Sequence, residues 1–166
     1  MTKRLRIFAG PNGSGKSTIE HLVSSNYKIG KLVNAAYSYL GAILSEFIRT
    51  KLLDVGKTFS FETVMSHESK LDFILEARKK GFKTYLYFVS TESADINVAE
   101  LKVELSMVAL DLLAKAVKFS DRAFIFDNSG FSTPLLADKN EGNLKILKSE
   151  VPDWFNKYLI ERLKGG

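Results

Sequence analysis

Nine consecutive residues, Gly10-Pro11-Asn12-Gly13-Ser14-Gly15-Lys16-Ser17-Thr18, constrain this chain more than anything else in it. They satisfy the pattern G-x-x-x-x-G-K-[ST] through Gly10, Gly15, Lys16 and Ser17. Phosphate oxygens are held when successive backbone N–H groups point into one concavity, and glycines permit the backbone angles this needs. A helix starting directly after the loop adds free amides and the positive end of its dipole. The pattern therefore implies a nucleoside triphosphate cradled by the backbone of Gly10, Asn12, Gly13, Ser14 and Gly15. Lys16 is expected to reach the β- and γ-phosphates, the Ser17 hydroxyl to ligate Mg²⁺, and Thr18 to contact the α-phosphate. The bland alternatives are a chance glycine-rich turn and a loop that binds nucleotide without turning it over. The flanking sequence speaks against the first: Arg4–Ala9 (RLRIFA) reads as a strand leading into the loop, and a helix is expected from Lys16 to about Ser24.

The rest of the chain alternates in the same way. Lys28–Val33 reads as a short strand. Tyr39–Asp54 reads as an amphipathic helix with Leu40, Ile43, Leu44, Phe47, Ile48 and Leu52 on one apolar face, stopped by Gly56. Phe59–Val64 alternates apolar and polar residues as a strand does. Ser66 is a candidate N-cap for a helix to about Lys80, with Gly81 behind it. Thr84–Val89 (TYLYFV) is apolar or aromatic throughout, as in a strand buried on both faces. A helix follows from about Val98 to Val117, then a strand Arg122–Phe126. Leu135–Leu147 reads as a hairpin turning at residues 139–142, and Pro152 opens a terminal helix to about Leu163. This order predicts one domain over residues 1–166. Its fold class is α/β, a three-layer α/β/α sandwich around a mostly parallel sheet, with a C-terminal hairpin and helix.

Composition removes several other classes. With no cysteine there is no disulfide or thiolate chemistry, and the two histidines, His21 and His67, cannot make a His-rich metal site. That usage fits a cytoplasmic protein. No apolar stretch is long enough to cross a membrane, so no membrane partner is expected. The net charge is +5, but the lysines are scattered, and Arg78-Lys79-Lys80 closes a helix C-terminus. Basic and aromatic residues are not interleaved as in RNA-binding modules, which argues against nucleic acid as a partner.

Several stretches, taken in order, resemble the zeta-toxin-like P-loop kinases: Arg6–Thr18, Val33-Asn34-Ala35, FSFETVMSH at Phe59–His67, Gly81–Thr91, Ile96–Val98, and DRAFIFDNS at Asp121–Ser129. The resemblance implies ATP-dependent phosphorylation of a small hydroxyl compound, which for the toxins proper is UDP-N-acetylglucosamine. It implies ATP and Mg²⁺ as cofactors, Lys16 as the catalytic lysine, and an antitoxin protein as a candidate partner. Glu62 and Thr63 match the strand end that faces the acceptor, where a carboxylate can bind sugar hydroxyls; the bland reading of Glu62 is a solvated edge-strand residue. His67 lies near the same stretch but reads as a surface residue. Asp127 and Asn128 match the adenine-side loop or are plain turn residues. ATP rather than GTP rests on the resemblance, together with the lack of a guanine-specifying Asn/Thr-Lys-x-Asp signature.

The pattern breaks twice. After Asn34-Ala35 the family has an aspartate, the general base, where this chain has Ala36. After Ile96-Asn97-Val98 the family has lid arginines, where this chain runs Ala99-Glu100-Leu101-Lys102-Val103-Glu104. Such arginines are worth roughly a thousandfold or more in related phosphoryl transfer. Either the chain is a shortened relative that binds nucleotide without catalysis, or the substrate-binding and lid segments are missing from the sequence. The second is the expectation, because both breaks fall at functional loops while every core element survives. A polynucleotide kinase is a third reading, permitted by the basic charge alone.

Overall fold

A computed structural model of the chain describes residues 2–34, 39–92 and 100–165. Seven strands form one sheet in the order β2-β3-β1-β4-β5-β6-β7. The strands are β1 (Arg4–Ala9), β2 (Lys31–Leu32), β3 (Phe59–Thr63), β4 (Lys83–Ser90), β5 (Arg122–Asp127), β6 (Leu135–Asn140) and β7 (Asn143–Ile146). The five strands from β2 to β5 are parallel, and the β6–β7 hairpin extends the sheet antiparallel. This is the predicted α/β class with its mostly parallel sheet. The expected strand at residues 28–33 shrinks to Lys31–Leu32, because its partner β3 begins only at Phe59 and leaves the earlier residues nothing to pair with.

The central strands are apolar because they are covered on both faces. One face carries the larger core, where Leu5, Ile7, Phe59, Phe61, Leu86 and Ile125 meet side chains of α2 (Tyr39–Asp54), α3 (Ser69–Lys79) and α4 (Glu100–Phe119). It also receives the terminal helical segment: α5 (Asp153–Phe155), a π-helical turn over Asn156–Ile160, and α6 (Glu161–Lys164). The other face carries a smaller core of Phe8, Tyr87, Val89 and Phe126 under Ile19 and Val23 of α1 (Lys16–Asn26). Phe8, Tyr87 and Phe124 stack across three neighbouring strands, with ring centroids 5.0 Å apart at each step. The helix layers are thus unequal, with α1 the only described helix contributing to the smaller core.

Two expectations need correction. α2 is a helix over the predicted residues, but four of the six residues of its apolar stripe face outward: Leu40 is 74% and Phe47 56% exposed, with Ile43 and Leu44 beside them, while Ile48 and Leu52 are partly buried. Ser45, Arg49 and Leu53 are the residues turned inward. Ser45 Oγ donates to the Asn34 carbonyl at 3.0 Å, and the Arg49 guanidinium lies 4.8 Å from the Phe61 ring centroid. These polar anchors turn the helix in a way that hydrophobic periodicity cannot anticipate. The second correction concerns the start of α3, which begins at Ser69 rather than next to Ser66. Met65 is fully buried in the left-handed region at φ 58°, and the chain uses the following residues to leave that turn. His67, one residue before the N-cap Glu68, accepts at Nδ1 from Ser69 N–H at 3.1 Å.

Candidate functional site

The loop after β1 bends back over the C-terminal end of the sheet, where parallel α/β sheets gather their binding groups. Its glycines are required by geometry. Gly10 has φ 143°, and a Cβ there would lie 2.0 Å from the Val89 carbonyl oxygen. Gly15 has φ 92°, and a Cβ there would lie 2.6 Å from Asn128 Nδ2. α1 begins immediately after Gly15, with no side-chain cap on its first amides. Thr18 N–H and Ile19 N–H bond to the Gly15 carbonyl at 3.1 and 3.3 Å, leaving the amides before them aimed outward. Asn12 and Gly13 are exposed at the crest of the loop. Ser14 is buried with its Oγ unpartnered, and its N–H bonds back to the Pro11 carbonyl at 3.3 Å, a bond it would exchange for a phosphate oxygen.

Lys16 Nζ lies back along the loop, donating to the Gly10 carbonyl at 3.0 Å and the Pro11 carbonyl at 2.8 Å. Burial lowers its pKa below the ordinary lysine value, partly offset by the Glu62 carboxylate. Glu62 is thus close enough to feel the loop lysine, although the two are far apart in sequence.

Both belong to one cleft of about 880 Å³, lined by the loop residues Asn12, Gly13, Gly15, Lys16 and Ser17 and by the end of β3 at Glu62, Thr63 and Val64. Glu62 is partly exposed at the cleft, and its N–H donates to Asn34 Oδ1 at 3.0 Å where β2 has ended. Thr63 Oγ1 accepts from Met65 N–H at 3.1 Å, which holds the tight turn after the strand. Thr18 is exposed, and neither it nor His67 lines this cleft.

Asp127 and Asn128 do not line the cleft but stand behind the loop. Asn128 Nδ2 donates to the Ser14 carbonyl at 3.1 Å, and Asn128 Oδ1 accepts from Thr133 Oγ1 at 2.6 Å. Asn128 therefore braces the phosphate loop from β5. Asp127 faces away, accepting from Ser129 Oγ at 2.6 Å and Trp154 Nε1 at 3.4 Å.

Sequence reading missed the cations on the far wall. Arg49 of α2 and Lys70 of α3 line the cleft with Glu46 between them, at 3.9 Å from Arg49 Nη2 and 3.8 Å from Lys70 Nζ. Burial lowers the pKa of each, and Glu46 partly restores it. Arg49 is only 7% exposed, which is costly for a guanidinium without a partner group. The signal was available in principle, since Arg49 shares a helical face with Ser45, but the stronger apolar stripe hid it.

No group of three or more His, Cys, Asp or Glu that could hold a metal occurs among the described residues. A divalent ion would rest on Ser17 and the phosphates it accompanies. The open loop amides and the Ser17 hydroxyl fit such an ion-bearing polyphosphate. Ala36 and residues 93–99 lie outside the described residues, while residues 100–104 form the continuous first turn of α4.

No protein-family model matches the chain, and no curated protein matches its sequence. Solved structures do. The complex of AvrRxo1-ORF1 and AvrRxo1-ORF2 with sulphate ions is 14% identical over 99% of this chain and 71% of its own, with a TM-score of 0.63. The same complex with ATP is 11% identical over 98% and 74%, at 0.62. The PezAT chromosomal toxin–antitoxin system of Streptococcus pneumoniae is 13% identical over 96% and 79%, also at 0.62. At such identities the likeness concerns architecture: the chain shares the α/β fold of these structures, with a phosphate loop of its own at Gly10–Thr18.

Proposed function

We propose that this chain is an ATP-dependent kinase that transfers the γ-phosphoryl group to a hydroxyl of a small anionic molecule, for which a nucleotide sugar is the candidate. The observation that carries this is the shared cleft: the phosphate loop with Lys16 forms one wall, and Glu62, Arg49 and Lys70 form the acceptor side. In this reading the backbone amides from Asn12 to Ser17 hold the polyphosphate, and Lys16 leaves its carbonyl partners to follow the β- and γ-phosphates. The Ser17 hydroxyl would hold Mg²⁺, which would supply positive charge to neutralise those phosphates. Glu62 orients the acceptor hydroxyls. Arg49 and Lys70 hold a negative group on the acceptor, which explains a buried and a half-buried cation beside a single exposed carboxylate. The acceptor oxygen attacks γ-phosphorus in line as the bond to the bridging oxygen breaks, ADP departs, and the hydroxyl proton passes to water in the open cleft. The partner proteins of the AvrRxo1 complex and of PezAT make an antitoxin-like protein the candidate partner here.

Transfer of label from γ-labelled ATP with Mg²⁺ into a pool of phosphorylated metabolites and nucleotide sugars tests the proposal. A labelled small-molecule product that requires Lys16 is expected. Tight ATP binding with no labelled product from any acceptor would overturn kinase activity and leave the second reading, a nucleotide-binding module without turnover. Ala36 and the lack of arginine over residues 99–104 favour that reading. The mass of the protein isolated from its native source bears on the same choice. A value near 18.6 kDa means the base and lid arginines are absent, and a mass several kilodaltons higher means further segments exist.

A further inference from the structure

At the opposite end of the sheet from the phosphate loop lies a second group of cations that the kinase reading does not use. Arg6, Tyr85 and Arg122 are register partners on β1, β4 and β5, so their side chains stand in a row on one face of the sheet. It is the face that carries α1. Arg6 is only 5% exposed, yet its Nε and Nη1 have no hydrogen-bond partner, and it forms no ion pair with any described residue. Arg122 reaches Asp138 through Nη2 at 3.1 and 3.3 Å, which leaves its Nε buried and unpartnered. A guanidinium on a central strand is normally paired, because burial without a partner forfeits its hydration.

The two guanidiniums are also held in place. Arg6 lies over the Tyr85 ring at 5.2 Å and Arg122 over the Phe124 ring at 4.9 Å. Stacking fixes the guanidinium planes; the Tyr87 hydroxyl takes part of Arg6 and Asp138 part of Arg122, and the donors left over, Nε and Nη1 of Arg6 and Nε of Arg122, suit charge-assisted binding of a phosphate. They open into a cleft of about 390 Å³ whose rim carries Arg4, Lys28 and the exposed ring of Tyr27. Among the described residues, Asp138 is the one carboxylate paired with either arginine. The volume is that of a small-ligand pocket, enough for a phosphate with a ring beside it. Arg6 precedes Gly10 by four residues, about 13 Å along an extended strand, so this cleft is separate from the triphosphate cradle.

We infer that Arg6 and Arg122 form a second anion site that binds a phosphate group, either free or carried by a nucleoside monophosphate stacked against Tyr27. The site lies behind the sheet, reached past the C-terminal end of α1.

The test uses the full chain carrying Lys16→Ala, which disables the phosphate loop, and follows the arginine side-chain Nε–H resonances by NMR during titration with inorganic phosphate and, separately, with AMP. Saturable shifts of the Arg6 and Arg122 signals at millimolar ligand or below are expected, with affinity weakened at least about tenfold by Arg6→Gln. If AMP binds more tightly than phosphate, the site takes a nucleotide; equal affinities mean that the phosphate alone is recognised. Should Arg6→Gln fail to fold, Arg4→Ala and Lys28→Ala at the exposed rim read the same site and should each weaken binding. No saturable shift with either ligand overturns the proposal. So does a shift seen in the unsubstituted chain that vanishes with Lys16→Ala, because the ion would then belong to the phosphate loop.

Discussion

Lys16 is the residue on which the chemistry turns, and its environment makes a pH prediction. Burial holds its amine below the ordinary value of 10.5. A polyphosphate laid beside it favours the charged form and raises that value again. The bound state therefore holds the proton more tightly than the free state. ATP affinity should be level below the lowered free-state pKa and should fall as pH rises through it toward 10.5, with proton uptake on binding in that window. A fluorescent-ATP titration over an alkaline pH series checks this; affinity that rises with pH there would contradict it. Across the cleft, Arg49→Ala should raise the acceptor KM by about tenfold or more, the cost of one charge-assisted contact, and leave ATP affinity within about twofold. Glu62→Gln should lower acceptor turnover with little change in ATP binding. An Arg49→Ala protein that loses ATP and acceptor affinity equally would move Arg49 to the nucleotide side. Sequence made Lys16, Ser17 and Glu62 legible because each sits in a fixed spacing or at a strand end. It did not reveal Arg49, because the stronger apolar stripe of α2 masked the Ser45–Arg49 face that the helix turns inward.

At the scale of elements, the phosphate loop is held by more than its own glycines. Asn128, at the end of β5, ties the Ser14 carbonyl to Thr133, so the loop is braced by a strand reached more than a hundred residues later. Asn128→Ala should weaken ATP binding about fivefold, the equivalent of about 1 kcal/mol for one hydrogen bond. A binding isotherm unchanged by that substitution would show the brace to be dispensable. α4 is closed in a similar way. Lys139 of β6 is buried and donates to the Val117 carbonyl at 2.7 Å, the Lys118 carbonyl at 3.1 Å and the Ser120 carbonyl, which occupies the last acceptors of the helix and complements its dipole. Lys139→Met should cost about 1–3 kcal/mol in urea unfolding, because buried carbonyls lose their donor. The strand–helix order was readable because buried parallel strands are apolar runs and helices have their own period. The facing of α2, the late start of α3 and the π-helical turn at Asn156–Ile160 were not readable. The facing of α2 depends on Ser45 meeting the Asn34 carbonyl eleven residues away, and the late start of α3 on the buried left-handed turn at Met65 that precedes it.

On the scale of the whole molecule, the parallel sheet divides the chain chemically. Its C-terminal edge collects the loop, the end of β3 and the cations of α2 and α3 into one cleft. Its other end collects Arg6 and Arg122 into a second, smaller one. The unequal helix layers make this possible: the core under α2, α3, α4 and the terminal helices carries most of the apolar burial, and the α1 face leaves Tyr85 and Phe124 only half covered. The hairpin at β6–β7 belongs to the sheet itself, and its strand β6 supplies both Asp138 to Arg122 and Lys139 to α4.

The central claim is that the Gly10–Thr18 loop binds a nucleoside triphosphate and that Lys16 carries much of that binding. Equilibrium titration of the chain and of its Lys16→Ala variant with fluorescent ATP and Mg²⁺, each checked for folding by circular dichroism, tests it most directly. Saturable binding by the unsubstituted chain, weakened at least about tenfold in a folded Lys16→Ala variant, is the expected result. Equal affinity in the two folded proteins, or no binding by either, would contradict it.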